Sequence, residues 1–164
     1  MMTIKTDGIE EVGAMLAKLG DKAQDVASGA LYDGAGIVAD AMRHAVGSIV
    51  TEEFNYIAHP EMTGTMRYPS PAEKAAVFGK TGISSFRKTA EDVNALIGVS
   101  GAAGYADIGG KRKPILLIAR AIASGTSFMH KQPVFRMAKN AAQGPAKRAI
   151  ADKAERMYKE IIGG

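Results

Sequence analysis

The sequence predicts an α+β fold: a small antiparallel sheet packed against a long N-terminal helix and a long, kinked C-terminal helix. Three observations carry that prediction. Small and medium apolar residues recur at three- and four-residue steps from Ala23 to Val46, the spacing of one helix face. Two segments, Ile83 to Lys88 and Val93 to Val99, read as strands joined by the polar turn Thr89-Ala90-Glu91-Asp92. Pro133 opens a periodic stretch reaching Ile161, interrupted by Gly144-Pro145, and a proline without an amide donor breaks or kinks a helix. At 164 residues the chain suits a single domain, 1–164, with a substantial core.

Taken in order, Asp7 is placed to cap a helix carrying Ile9, Val12, Leu16 and Leu19. Gly20 interrupts it and Asp21 is a candidate cap for the restart. Gly29, Gly34 and Gly36 sit inside the long helix that follows. Each costs up to about 1 kcal/mol relative to Ala, tolerable where close packing on a sheet or another subunit offsets it. Residues 47–70 lose periodicity and carry His59-Pro60, Thr63-Gly64 and Tyr68-Pro69, which is loop chemistry. Connections of that length in a compact domain are usually functional, and an extended loop or arm is expected there. Ser70-Pro71-Ala72-Glu73 has a capping Ser, Pro in the first turn and Glu at the third position, so a short helix should run to Phe78-Gly79. Beyond the two strands, Tyr105 to Ile108 is expected as a third. After Pro114, the residues Ile115, Leu116, Ile118, Ala119 and Ile122 form an apolar helical set ending at Ser124-Gly125. A polar loop, Thr126 to Gln132, then leads to the last helix.

Charge is distributed unevenly. From Ile108 to Ala151 the chain carries Lys111, Arg112, Lys113, Arg120, Lys131, Arg136, Lys139, Lys147 and Arg148 and no Asp or Glu, whereas residues 7 to 53 are mixed to acidic. A like-charged run is ordinarily a solvated face; it also suits nucleic acid or an acidic protein rim. The absence of cysteine excludes disulfides, thiolate metal sites and a cysteine nucleophile. His44, His59 and His130 lie far apart, without metal-ligand spacing. No GxSxG, SxxK or phosphate-loop pattern frames the Ser- and Gly-rich stretches. No catalytic, cofactor or metal residue is therefore nominated, and an enzyme is not expected. The opening MMTIKTDGIEE lacks the apolar centre of a signal peptide, and no apolar run approaches the ~20 residues that span a bilayer. Synthesis in the cytoplasm and no membrane association follow as expectations. Nonspecific DNA binding through the basic 111–148 region is the principal alternative; only Phe128 and Phe135 lie near those cations, so base stacking is poorly supported.

Several of these segments, in this order, resemble a family. Met15-Leu16-Ala17-Lys18-Leu19-Gly20 followed by Ala35 to Ala45 is similar to the Ala-rich N-terminal helix of the bacteriophage head-tail connector and minor tail component family, neck proteins like the tenth gene product of a lambdoid coliphage. Thr81-Gly82-Ile83 resembles that family's opening to its strand region, and Ile97-Gly98 its strand ending. Ile118-Ala119-Arg120-Ala121-Ile122, Ser124-Gly125-Thr126-Ser127 and Gln132-Pro133-Val134-Phe135 resemble its last helix–loop–helix, with Arg136 and Ala138 following. The likeness covers roughly residues 8–162; a longer 50–78 region and Gly144-Pro145 depart from it. It implies a virion structural protein of the neck, in head-tail joining, tail completion or tail termination, acting as a homo-oligomeric, hexameric ring without catalysis. Its implied partners are copies of itself, neighbouring neck, connector or tail-tube proteins, and DNA in the channel. Its implied location is the virion, after assembly in the host cytoplasm. Lys111, Arg112, Lys113, Arg120, Phe128, Lys131 and Arg136 are the candidate contact residues.

Overall fold

The computed structural model describes residues 2–4, 10–51, 66–89, 92–100 and 102–163. In chain order these form β1 (Met2–Ile4), α1 (Glu10–Leu19), a 3-10 turn (Gly20–Lys22), α2 (Ala23–Gly47), α3 (Pro71–Phe78), β2 (Thr81–Lys88) and β3 (Val93–Val99). There follow β4 (Tyr105–Ile108), β5 (Lys111–Pro114), α4 (Ile115–Ser124) and α5 (Val134–Ile162). The α+β architecture is that of the sequence: the long helices α2 and α5 pack together, and α2 also covers β2 and β3.

The centre of the molecule is α2. Val26, Ala30, Leu31, Ala35, Val38, Ala39 and Met42 are buried along it. Opposite, α5 contributes Ala138, Ala142, Ala146, Ile150 and Ala154, one every fourth residue. That i, i+4 ridge is the shape that slots into a neighbouring helix. The small side chains bring the two axes close. At Gly34 a Cβ would lie 2.4 Å from Ile150 Cγ1 and 2.6 Å from its Cδ1, so this glycine is required by packing. Gly36 faces open space.

Beneath α2 lies a three-stranded antiparallel sheet in the order β1-β3-β2. Its inner face presents Ala95 and Ile97 of β3 with Ile83, Phe86 and Val93. Ile83 and Phe86 are an odd number of residues apart and would normally face opposite ways. A bulge between Ile83 and Ser85 absorbs the extra residue and turns both toward α2.

A second core forms where α2 ends. Val46, Ile49, Val77, Val99, Ala103, Ile115, Ile118, Ala119, Ile122, Met129 and Val134 are buried together, enclosed by α3, the β4–β5 hairpin, α4 and the 126–132 loop. The expected third strand, Tyr105–Ile108, exists but does not join the main sheet. It pairs with β5 in a separate hairpin, because Gly109 and Gly110, both at positive φ, turn the chain straight back. The third strand of the main sheet is β1 instead.

Other expectations need adjusting. Asp21 lies inside the 3-10 turn, and α2 starts after Lys22 with no side-chain cap. Pro114 both ends β5 and stands just before α4. Helix α5 runs uninterrupted through Gly144-Pro145, so of the break or kink expected there the break does not occur; both residues are exposed. The proposed Asp7 cap lies outside the described residues. Ser70 and Glu73 do form a reciprocal capping box, with Pro71 opening the helix.

Candidate assembly surface

Around the second core, one buried carboxylate fixes three separate segments. Glu73 in α3 is only 2% exposed. Arg67 donates to both its oxygens, Nη1 to Oε2 at 2.7 Å and Nη2 to Oε1 at 2.9 Å. The Ser70 amide donates to Oε2 at 3.0 Å and Lys113 Nζ to Oε1 at 3.1 Å. Burial alone would raise the Glu73 carboxyl, but the Arg67 guanidinium, the Ser70 amide and the Lys113 ammonium outweigh it. They hold it down at about 2. Residues 66–70, α3 and β5 are thereby locked together.

The flanks of the expected 47–70 arm are also secured to this lobe; residues 52–65 lie outside the described residues. Val50 exchanges two hydrogen bonds with the Gln132 side chain, 2.9 Å from its amide and 3.0 Å to its carbonyl. Lys74 Nζ donates to Ile49 O at 3.0 Å. On the other flank the Arg67 amide donates to Phe128 O at 2.8 Å, and the His130 amide donates to Arg67 O at 2.9 Å. His130 stacks on Tyr68, ring centroids 4.6 Å apart, a packing role.

The nominated residues fall on this lobe, but not as one free cationic patch. Lys113 faces inward and is engaged by Glu73. Arg112 lies over the Tyr105 ring, 4.7 Å from its centroid, and stands opposite Asp107 in the hairpin register. Lys111 is exposed at the hairpin tip. Arg120 is exposed on α4, and Lys131 is exposed where its Cβ closes on Gly125 at the C-terminal end of that helix. Arg136 is exposed in the first turn of α5, which carries no acidic residue. A cation at a helix N-terminus opposes the helix dipole by roughly 0.3–1 kcal/mol, so stability does not account for its position.

No family model, curated protein or solved structure matches the chain. The surface must therefore be read from its own chemistry. Among the described residues, no group of three or more His, Asp or Glu is placed to hold a metal ion. No helix among them is long and apolar enough to cross a membrane.

What the sequence reading missed is the apolar half of this surface. Phe128, the single apolar residue nominated, is 60% exposed. Leu117 is 58% exposed, and Leu116, read as core, is 46% exposed. Met66 is exposed too, and the parallel bridge between Arg67 and Met129 sets it beside Phe128 in the pairing. Val50, Phe78 and Tyr105 add exposed apolar area on the same lobe. A signal was available: Ile115-Leu116-Leu117-Ile118 is an unbroken apolar run at the start of a helix, and a helix cannot turn four consecutive residues to one side.

Proposed function

We propose that this protein is a structural component of a bacteriophage neck, in head-tail joining, tail completion or tail termination, acting by ring assembly without catalysis. The observation that carries the reading is the composition of the second-core lobe. Leu116, Leu117, Met66 and Phe128 are exposed on the lobe that also carries the exposed Arg120, Lys131 and Arg136. Large exposed apolar side chains together with cations on one lobe are the make-up of a protein–protein contact. A phosphate-binding face has no use for exposed leucines. The likeness of the α2, β2–β3 and α4–α5 segments to the neck family supplies the biological setting, with the virion as location and adjoining neck or tail-tube layers as partners. Reversing Arg120, Lys131 and Arg136 to Glu together should leave the circular dichroism spectrum unchanged and sharply reduce joining of heads to tails. Infectious yield equal to wild type would reject the reading.

One observation favours nonspecific DNA contact as a second reading. The hairpin carries Lys111 and Arg112 beside an exposed Tyr105, a cation–aromatic pair suited to a nucleic-acid backbone. A gel-shift salt titration separates the two. Micromolar or tighter binding by the isolated subunit that falls steeply with salt favours DNA.

A further inference from the structure

We infer that the outer face of α5 between Arg136 and Lys147 binds the phosphate backbone of a nucleic acid. The inference rests on the second reading, that this chain contacts DNA, and places that contact on α5 rather than on the hairpin. Subunit contacts through the α4 lobe stand apart from it. Arg136, Lys139, Asn140, Gln143 and Lys147 are all exposed, and their steps of three and four residues put them on one helix face. In this half of α5 the buried residues are Val134, Ala138, Ala142 and Ala146, a narrow seam that leaves the face open. Each of the five side chains donates hydrogen bonds and none carries negative charge. Phosphate oxygens accept from these residue types whatever the base sequence. The stripe spans roughly 16 Å of helix, at ~1.5 Å per residue, a length over which a duplex presents several phosphates.

The two halves of α5 differ in a way that a merely solvated helix does not require. From residue 152 onward Asp152, Glu155 and Glu160 balance Lys153, Arg156 and Lys159, whereas 134–151 holds Arg136, Lys139, Lys147 and Arg148 and no acid. Ion pairs among the described residues join Arg67 and Lys113 to Glu73, Lys88 to Asp25, Lys153 to Asp33 and Lys159 to Glu155, and none involves the stripe. The acids of α2 lie on another flank. Lys153, which meets Asp33, points about 120° round α5 from Lys147, at ~100° per residue, and Asp40 shares Asp33's side of α2 two turns on. The cations of the stripe therefore call for an anion from outside the chain. The centre of a protein contact is apolar and depleted of charge, and the stripe has no apolar side chain. Met137, the exposed large apolar residue of this half, lies about 100° round the helix from the middle of the stripe.

The test measures binding of the full-length protein to a labelled DNA duplex of mixed sequence by fluorescence anisotropy, across a salt series, with circular dichroism as the control for folding. Lys139→Gln with Lys147→Gln should weaken binding at least about tenfold at low salt and flatten the salt dependence by about 0.9 in logarithmic slope for each cation lost. Arg156→Gln with Lys159→Gln removes the same charge from the balanced half of the same helix and should leave the slope at the wild-type value. Asn140→Ala with Gln143→Ala keeps every charge; it should weaken binding by about fivefold without changing the slope. Equal flattening by the two charge variants, or wild-type affinity in the Asn140 and Gln143 variant, means that net charge alone attracts the duplex and overturns the inference. Flattening by Lys111→Gln with Arg112→Gln and none by the α5 pair returns the contact to the hairpin, overturning this placement while DNA binding stands. A labelled polyglutamate bound as tightly as the duplex overturns nucleic acid as the occupant. Wild-type protein that shows no salt-dependent binding overturns the DNA reading itself, and this inference with it.

Discussion

Glu73 shows how a single side chain decides the shape of a lobe. Its carboxylate is desolvated, and its ionised form survives because Arg67, Lys113 and the Ser70 amide all donate to it. Removing the charge leaves two cations facing a neutral group. Glu73→Gln should therefore destabilise the fold by about 2–4 kcal/mol in urea unfolding at pH 7, below the upper range for buried pairs because Arg67 and Lys113 keep some water contact. The pH dependence has a fixed sign. A carboxyl near 2 in the folded state against 4.5 unfolded contributes stability that is fully present above about pH 4.5 and lost as pH falls toward 2. Wild type should lose up to roughly 3 kcal/mol across that window through this group, and Glu73→Gln should lack that part of the slope. The glycines of α2 give a second residue-level contrast. Gly34→Ala drives a methyl into Ile150 and should cost about 1–3 kcal/mol. Gly36→Ala meets nothing and should gain up to about 1 kcal/mol from helix propensity; opposite signs in one urea series check both.

Pro145 poses the same kind of question for an element. Helix α5 stays continuous through it, although Pro is about 3 kcal/mol worse than Ala in a helix interior. Continuity holds because Ala142 and Ala146, on either side, are buried with α2 in the main core; tertiary packing carries the helix across the missing hydrogen bond. Restoring the donor with Pro145→Ala should raise the melting temperature by several degrees, at about 2–4 °C per kcal/mol for a chain of this size. A lower melting temperature would mean that the packing of α5 on α2 is built around a bend at Pro145. The elements themselves were legible because their signals are local: the Ser70–Glu73 box, the apolar periodicity after Pro133, the polar turn before β3. The partners of the strands were not. Whether Tyr105–Ile108 joins the sheet or folds back on Lys111–Pro114 depends on Gly109 and Gly110, and nothing in the short Met2–Ile4 segment announces that it lies beside β3. Register across long sequence separations is set by the whole fold.

At the scale of the molecule, the cations of the candidate surface were legible as a run without acids, yet their roles were not. Lys113 belongs to Glu73 of α3, forty residues earlier, and no spacing rule connects them. The apolar partners of the cations were hidden among residues that look like core. That mixture makes a further prediction, since scattered exposed leucines and a working contact respond differently to the same substitution. Leu117→Asp with Phe128→Ser removes two side chains that are 58% and 60% exposed and adds one charge. If they are ordinary surface residues, stability and association should both stay within about 0.5 kcal/mol of wild type. If they form the centre of a subunit contact, stability should still hold, while association weakens by about 2 kcal/mol or more, the penalty typical of a contact's central anchors. The loss should persist at high salt, because it is apolar. The Arg120 and Lys131 contribution should instead fade as ionic strength rises. Sedimentation of wild type, this variant and the triple charge reversal of Arg120, Lys131 and Arg136 at low and high salt separates the two contributions, and equal salt dependence in all three would argue against a mixed apolar and cationic contact.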